Sequence, residues 1–400
     1  MAALRGGFGV APFGIPGWEQ STDGTPLLAR CLMLADEQTR LVVVSGCYLT
    51  LGGEEVALVR EAVGKAVDLP ASSVLLAGTH VHSGPPTLAP ERDERLFYAR
   101  HIAQAAAQAA TQAAGLRPLR CGYATAHLPG VSRVRRILRR DGSVITLRRA
   151  CPETWGWATD PETVGPEEAL DDLLTVLRFE GLDGAPLGAI MHFTCHPIPD
   201  FMGYAARLVE RTLPGLTCLI LNGCLGSVDT PFEVPMRGQT QAAQLPLLGD
   251  ILGYRTLELL ARAEAADEVR LGQARRSVFL PMDPRFRENP LSRSELLREA
   301  VERGGFETEV QCLRMGPVAW AGVPGEPQVG FGAAVARVSP FGLTRVVGVA
   351  NRSCAYLLTE ESRARGGYEA DPGYWGMVTG AGLATVLPAV EACLQELAAP

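Results

Sequence analysis

Two histidines stand one residue apart where an apolar run ends, in Val74-Leu75-Leu76-Ala77-Gly78-Thr79-His80-Val81-His82-Ser83-Gly84-Pro85-Pro86. In a strand, side chains two apart point to one face, so His80 and His82 are expected to share one space at the mouth of a sheet. The chain has six histidines, and four fall in two tight clusters, His80/His82 and His192/His196, each where an apolar run stops. Asn222, Glu326 and Asn351/Tyr356 close other apolar runs in the same way. Ligand sites of α/β proteins lie on loops beyond strand ends. Imidazole nitrogen with carboxylate oxygen is the donor set that zinc prefers, and a catalytic zinc keeps one position open for water. His80, His196 and Glu326 would make such a set, and the bound ion would lower the pKa of water to about 7.

Each piece also has an ordinary reading. His192 lies inside its strand and reads as a satisfied core histidine. Gly325-Glu326-Pro327 is common turn chemistry, Asn222-Gly223 is most often a turn, and Tyr356 could be half-buried packing. The repeated placement at strand ends is what favours a site.

The elements that would carry these residues follow from periodicity. Strands are expected at 27–34, 39–44, 73–78, 173–179, 187–193, 216–221, 269–280 and 343–349, with β structure over 119–147 and hairpin turns at Asp141-Gly142 and Asp183-Gly184. Residues 309–313 and 318–321 read as a further hairpin. Helices are expected at 52–69, 91–115, 205–212, 292–303 and 380–397, and at 239–265 with a break near Pro246. Residues 151–166, with Trp155 and Trp157, read as an ordered loop that either covers the site or packs on the surface. The irregular alternation predicts an α/β fold: mixed β-sheets with hairpins, covered by α-helices. Without repeats, low-complexity tracts or linkers, residues 1–400 are expected to be one domain.

The net charge of −7 argues against a general nucleic-acid binder. The first nine residues lack the apolar stretch of a signal peptide, and no run approaches the roughly 18 apolar residues of a membrane span. The ten cysteines form no CxxC pair and mostly sit in apolar runs, so a reducing, cytoplasmic location is expected. The oligomeric state is open.

Taken in order, the motifs resemble the neutral ceramidase superfamily, in its N-terminal catalytic domain. The matching pieces are Pro12-Phe13-Gly14-Ile15-Pro16, Thr79-His80-Val81-His82-Ser83-Gly84-Pro85, Phe193-Thr194-Cys195-His196, Asn222-Gly223-Cys224-Leu225-Gly226, Pro324-Gly325-Glu326, Ala350-Asn351 through Tyr356, and Gly367-Tyr368-Glu369. The resemblance implies a zinc-dependent amidase with His80, His196, Glu326 and Tyr356 as metal ligands. It implies His82 as the acid/base group and Tyr368 as a hydrogen-bond partner near the scissile amide. It also implies an arginine in a similar part, for which Arg135 is the best match and Arg133 and Arg136 are competitors. The ordinary reading of that group, with Arg139 and Arg140, is a solvated hairpin.

This sequence departs from the family in three ways. Gly223 stands where ceramidases carry a serine beside the zinc. Ser227 replaces an acidic residue of many relatives, with Asp229 two positions on. The ceramidases' additional C-terminal domain and secretion signal are not matched. These departures weigh against ceramide itself more than against the metal site. The expected substrate is an N-acyl or ceramide-like amide, small or amphiphilic. The alternatives are a metal-binding scaffold that has lost its chemistry, which Gly223 favours, and an ester hydrolase. Iron and manganese also suit the donor set.

Overall fold

Alternation of side chains along the apolar strands sends them to two faces, and both faces are buried, as continuous apolar runs require. A computed structural model describes residues 4–149, 151–231, 241–266 and 269–399. In its larger sheet the strands run in the order Thr217–Asn222, Pro186–Phe193, Leu173–Gly181, Arg117–His127, Arg5–Pro12, Leu28–Ala35, Arg40–Gly46 and Val74–Gly78. The second sheet has the order Leu271–Pro281, Gly305–Met315, Val318–Gly322 and Leu343–Val347.

Leu32, Leu34, Val43, Leu75 and Leu219 of the larger sheet meet Leu313, Val318, Trp320 and Val347 of the second, forming the core between them. The opposite faces carry helices. Gly53–Val67 and Arg92–Ala113 cover Cys31, Val42, Val44 and Leu76. Phe201–Thr212 and Gln241–Arg262 cover Val176, Met191 and Ile220. Gly380–Ala398 covers Val278, Cys312 and Ala319 of the second sheet. The layers are therefore helix, sheet, sheet, helix, an α/β architecture of mixed sheets as expected from the sequence.

The larger sheet does not lie open. Its halves join through only two residue pairs, Arg5↔Pro118 and Gly6↔Arg117. Its two ends come together: the Ser45 hydroxyl donates to Ile220 O at 2.7 Å and accepts from Ile220 N at 3.2 Å. This fold-back sets the loop after Val74–Gly78 beside the loops after Pro186–Phe193 and Thr217–Asn222, although those strands are remote in the sheet order.

Two local expectations change, and the Gly- and Pro-rich start of the chain, assigned no element from periodicity, contains a strand, Arg5–Pro12. Its glycines admit the helix Arg92–Ala113, since a Cβ at Gly7 or Gly9 would lie 2.1 Å from Ala113 O or 2.0 Å from Ala109 O. The helix expected over 292–303 is replaced by 3₁₀ turns at Pro284–Glu288 and Pro290–Arg293 and a short helix Arg298–Arg303. The side chain of Asn289 accepts from Leu291 N at 2.9 Å and caps a new turn where a long helix would have run through. The break expected at Pro246 is absent: Gln241–Arg262 continues through it. Proline there lies in the first two turns, where its missing N–H removes one bond near the helix start. The C-terminal helix is long and apolar enough to cross a bilayer, and in the structure it packs Val386, Val390 and Cys393 into the second core.

Candidate metal centre

The His80 loop is shaped by its backbone. The strand ends at Gly78, Thr79 N donates to Gly46 O at 2.9 Å and His80 N donates to Tyr48 O at 3.1 Å. His80 has φ +65°, a left-handed conformation that is uncommon outside glycine. The two histidines thus converge by a turn and not by the two-residue alternation of a strand, which corrects the geometric reason for expecting them together. Their ring centroids are 4.8 Å apart.

His196 arrives from a different direction. Asn222, at the end of its strand, clamps the preceding residue with both amide atoms: Oδ1 accepts from Cys195 N at 3.3 Å and Nδ2 donates to Cys195 O at 2.9 Å. Glu326 and Tyr356 are direct partners in a short parallel ladder, Glu326–Pro327 against Tyr356–Leu357. Asn351, another strand-end residue of the sequence analysis, is a tie between sheets and not a ligand. Its Oδ1 accepts from Leu76 N at 3.0 Å and its Nδ2 donates to Gln311 Oε1 at 3.1 Å. Of the five non-glycine residues with positive φ among the described residues, His80, Val349, Asn351 and Ala355 belong to these loops. Such strain persists where the surroundings over-determine the backbone.

The central observation concerns three atoms. His80 Nδ1 is 2.9 Å from Leu49 O, and His196 Nδ1 is 2.8 Å from Val228 O. A carbonyl can only accept, so both rings carry a proton on Nδ1, and in the neutral ring the lone pair then lies on Nε2. Both Nε2 atoms face the same carboxylate oxygen, Glu326 Oε2, at 3.4 Å for His80 and 3.1 Å for His196. All three atoms are buried, and none has a hydrogen-bond partner among the described residues. Three electron-rich atoms turned on one another in a dry space repel unless something positive lies between them. Burial, with Arg135 adding to it, lowers the His196 pKa, which leaves the ring neutral. Burial opposes ionisation of Glu326, and only positive charge at the two imidazole positions outweighs it and holds its pKa well below the usual carboxylate range. The residues therefore fit a divalent cation: the hydrogen bond on each Nδ1 is the kind that orients metal-binding histidines.

His82 stands apart from this pattern. Its ring is 5.7 Å from that of His196, and one ligand nitrogen from each of His80, His82 and His196 lies within 4.8 Å of the others. No carbonyl among the described residues fixes its ring, and it has an exposed edge on the cavity. The surrounding protein and the neighbouring His80 and His196 push its pKa well below the ordinary histidine value. Tyr356 is buried, with its ring centroid 6.5 Å from that of His196. Burial, with Glu326 adding to it, raises the phenol pKa well above the usual value.

The arginine group divides. Arg135 is 5% exposed, and its guanidinium carbon is 5.5 Å from the centre of the Tyr356 ring. Arg136 is fully buried and turns away to Glu167, at 2.6 Å, and Ser362 O, at 2.8 Å. Arg133 reaches Thr230 O at 3.4 Å. A solvated hairpin therefore does not describe Arg135 and Arg136. Both are held by Glu369, whose Oε1 accepts from Arg135 Nε at 2.7 Å and whose Oε2 accepts from Arg136 Nη1 at 2.9 Å. Arg135 also donates to Gly226 O at 2.8 Å and lies 3.9 Å from Asp229. Sequence reasoning assigned no role to Glu369; the signal was a carboxylate beside Tyr368 in a chain with five arginines across one hairpin. His192 is a core histidine, bonded to Val346 O at 2.7 Å.

A cavity of about 520 Å³ opens from the centre, lined by His80, His82, Glu326, Tyr356 and Tyr368 at one end. Leu49, Leu51, Leu88, Leu296, Phe306 and Trp375 supply apolar wall. The arginines on its rim are neutralised in place: Arg92 by Glu54, Arg95 by Glu55, Arg298 by Glu295 and Arg352 by Glu299. Neither Trp155 nor Trp157 lines the cavity.

No protein-family model and no curated protein matches the chain. Among solved structures it is similar to the neutral ceramidase of Pseudomonas aeruginosa, with 18% identity, a TM-score of 0.74, and 99% of this chain matched to 75% of that one. It is likewise similar to a ceramidase complexed with C2, with 19% identity, a TM-score of 0.72, and 99% of this chain matched to 76% of that one. At these identities the likeness is one of architecture, and it runs nearly end to end: the chain has the neutral ceramidase fold.

Proposed function

We propose that the chain is a metal-dependent hydrolase that cleaves the amide bond of an N-acyl, lipid-like molecule. The observation that carries this reading is the convergence of His80 Nε2, His196 Nε2 and Glu326 Oε2, all buried and without a hydrogen-bond partner among the described residues. These three residues with Tyr356 would hold the ion, zinc by donor type. When bound, the ion supplies Lewis acidity and a nucleophilic water.

The protein's own groups divide the remaining work. His82, neutral and open to the cavity, takes the proton of the attacking water and delivers it to the leaving nitrogen. Its lack of a carbonyl partner supports this role over that of a third histidine ligand. Arg135 stays protonated, and with Tyr368 it would stabilise the negative charge that grows on the amide oxygen. The apolar wall accepts the acyl chain. The fold neighbours are ceramidases, which supports a lipid amide as the substrate class. The ten unpaired cysteines fit a reducing compartment, and we place the protein in the cytoplasm.

The test is metal content and turnover measured together. Protein purified without added metal should carry about one divalent ion per chain. It should hydrolyse simple N-acyl amides, and should lose both ion and turnover in His80→Ala and His196→Ala. Hydrolysis that survives complete chelation would overturn the mechanism. A bound ion without turnover on any amide or ester would favour a metal-stabilised scaffold.

A further inference from the structure

One cation near the centre has no counter-charge. Arg148 makes no ion pair and no side-chain hydrogen bond among the described residues, in contrast to Arg135 and to the four rim arginines. Its guanidinium carbon lies 4.0 Å from the centre of the Tyr368 ring and 5.5 Å from that of Tyr374. The two tyrosine rings are themselves 5.2 Å apart, and Tyr368 is 5.8 Å from Tyr356. The series of contacts thus leads from the metal ligands, through Tyr368 on the cavity wall, to a stacked arginine. A guanidinium that stacks on aromatic faces keeps its in-plane N–H groups for another partner, and their fork matches an oxyanion. Neither tyrosine hydroxyl has a hydrogen-bond partner among the described residues, so they add further donors beside it.

The arginine is also held in position. Its carbonyl accepts from Trp155 Nε1 at 2.9 Å and from Cys151 N at 3.0 Å, while the preceding Leu147 is buried and bonds Arg135 O at 2.7 Å. The tryptophan loop therefore acts by fixing position 148. An unpaired arginine on open surface is commonplace. One stacked on two rings, braced from both sides and set behind Tyr368 of a cavity whose own arginines are all paired, is prepared for an anion.

We propose that Arg148 anchors an oxyanion, a carboxylate or a phosphate ester, carried on the amine side of the substrate, so that the preferred amide is anionic. This rests on the hydrolase reading above, with the acyl chain along the apolar wall and the charged group beyond Tyr368.

The test uses three amides with one acyl chain: N-lauroylglycine, N-lauroylphosphoethanolamine and the neutral N-lauroylethanolamine. Wild type, Arg148→Gln and Arg148→Lys are compared with metal bound. Wild type should favour at least one anionic amide over the neutral one, and which one it favours identifies the anion. In Arg148→Gln the anionic-to-neutral ratio of kcat/KM should fall about tenfold or more, chiefly through KM, as expected when a charged hydrogen bond is lost. Arg148→Lys should recover part of the ratio. An unchanged ratio, or no preference for either anion in wild type, overturns the proposal. If none of the amides is hydrolysed, the hydrolase reading fails, and calorimetric binding of the same three ligands decides this one. Weaker binding of an anionic ligand alone in Arg148→Gln supports it, and equal changes overturn it.

Discussion

Glu369 holds Arg135 against the site: Arg135 Nε donates to Glu369 Oε1 at 2.7 Å, with both side chains almost wholly out of water. The same carboxylate accepts from Arg136 and from the Thr146 hydroxyl at 2.7 Å, and its pKa lies below the ordinary value because Arg135 and Arg136 overcome the effect of burial. Breaking a buried ion pair from one side leaves the other charge uncompensated. Glu369→Gln should therefore lower stability by about 3 kcal/mol, at the low end for such a loss because an amide still accepts one bond. Denaturant melts check this, and kcat should drop as Arg135 loses its brace.

Glu326→Gln should act in opposite directions in the two forms of the protein. Without metal, a glutamine amide can donate to a histidine lone pair that now faces a carboxylate, so the variant should melt at the same temperature as wild type or higher. With metal, wild type gains stability from the bound ion by mass action, and the variant should lose most of that gain. Melts with and without added zinc check the crossing; a variant less stable than wild type in both forms would contradict the lone-pair argument.

Position 223 has no space for the serine that the family resemblance would put there. A Cβ there would lie 2.1 Å from Thr194 Oγ1 and 3.2 Å from His192 Cε1. Gly223→Ser should be destabilising by about 1–3 kcal/mol, the range for overpacking. Thr194→Ala added to it should recover most of the loss, since the closest clash is with the threonine side chain. Melts of the single and double variants check the coupling.

Asp200 should give stability a pH slope. It is fully buried, and its pKa is raised from 3.8 to about 6, first by burial and then, against hydrogen bonds from Thr25 and Gly203, by Asp23. Folding thus favours the protonated acid. Its contribution is fully present below pH 3.8 and is lost as pH rises through about 6. The shift corresponds to about 3 kcal/mol. Asp200→Asn should flatten stability between those limits, and urea melts at several pH values measure it.

The ligand set of the resemblance, His80, His196, Glu326 and Tyr356, falls in one constellation, because each of these residues follows an apolar run that forms a strand. The apolar runs and helical spacing were likewise readable, and with them mixed β-sheets covered by helices. What the chain did not disclose is long-range. The Ser45–Ile220 contact, which folds the larger sheet back and brings His80 to His196, joins two residues with no local mark of their pairing. The left-handed backbone at His80 is imposed by bonds to Gly46 and Tyr48 and not by its own type. Nothing near Arg148 in the sequence marks its contact with the distant Tyr368 and Tyr374.

His80 and His196 hang from the larger sheet, whereas Glu326 and Tyr356 follow strands of the second. On the proposed reading, no portion of the chain made before Tyr356 would carry all four ligands, so an ion would be captured only after the two sheets had closed on each other, and its presence would report a correctly assembled molecule.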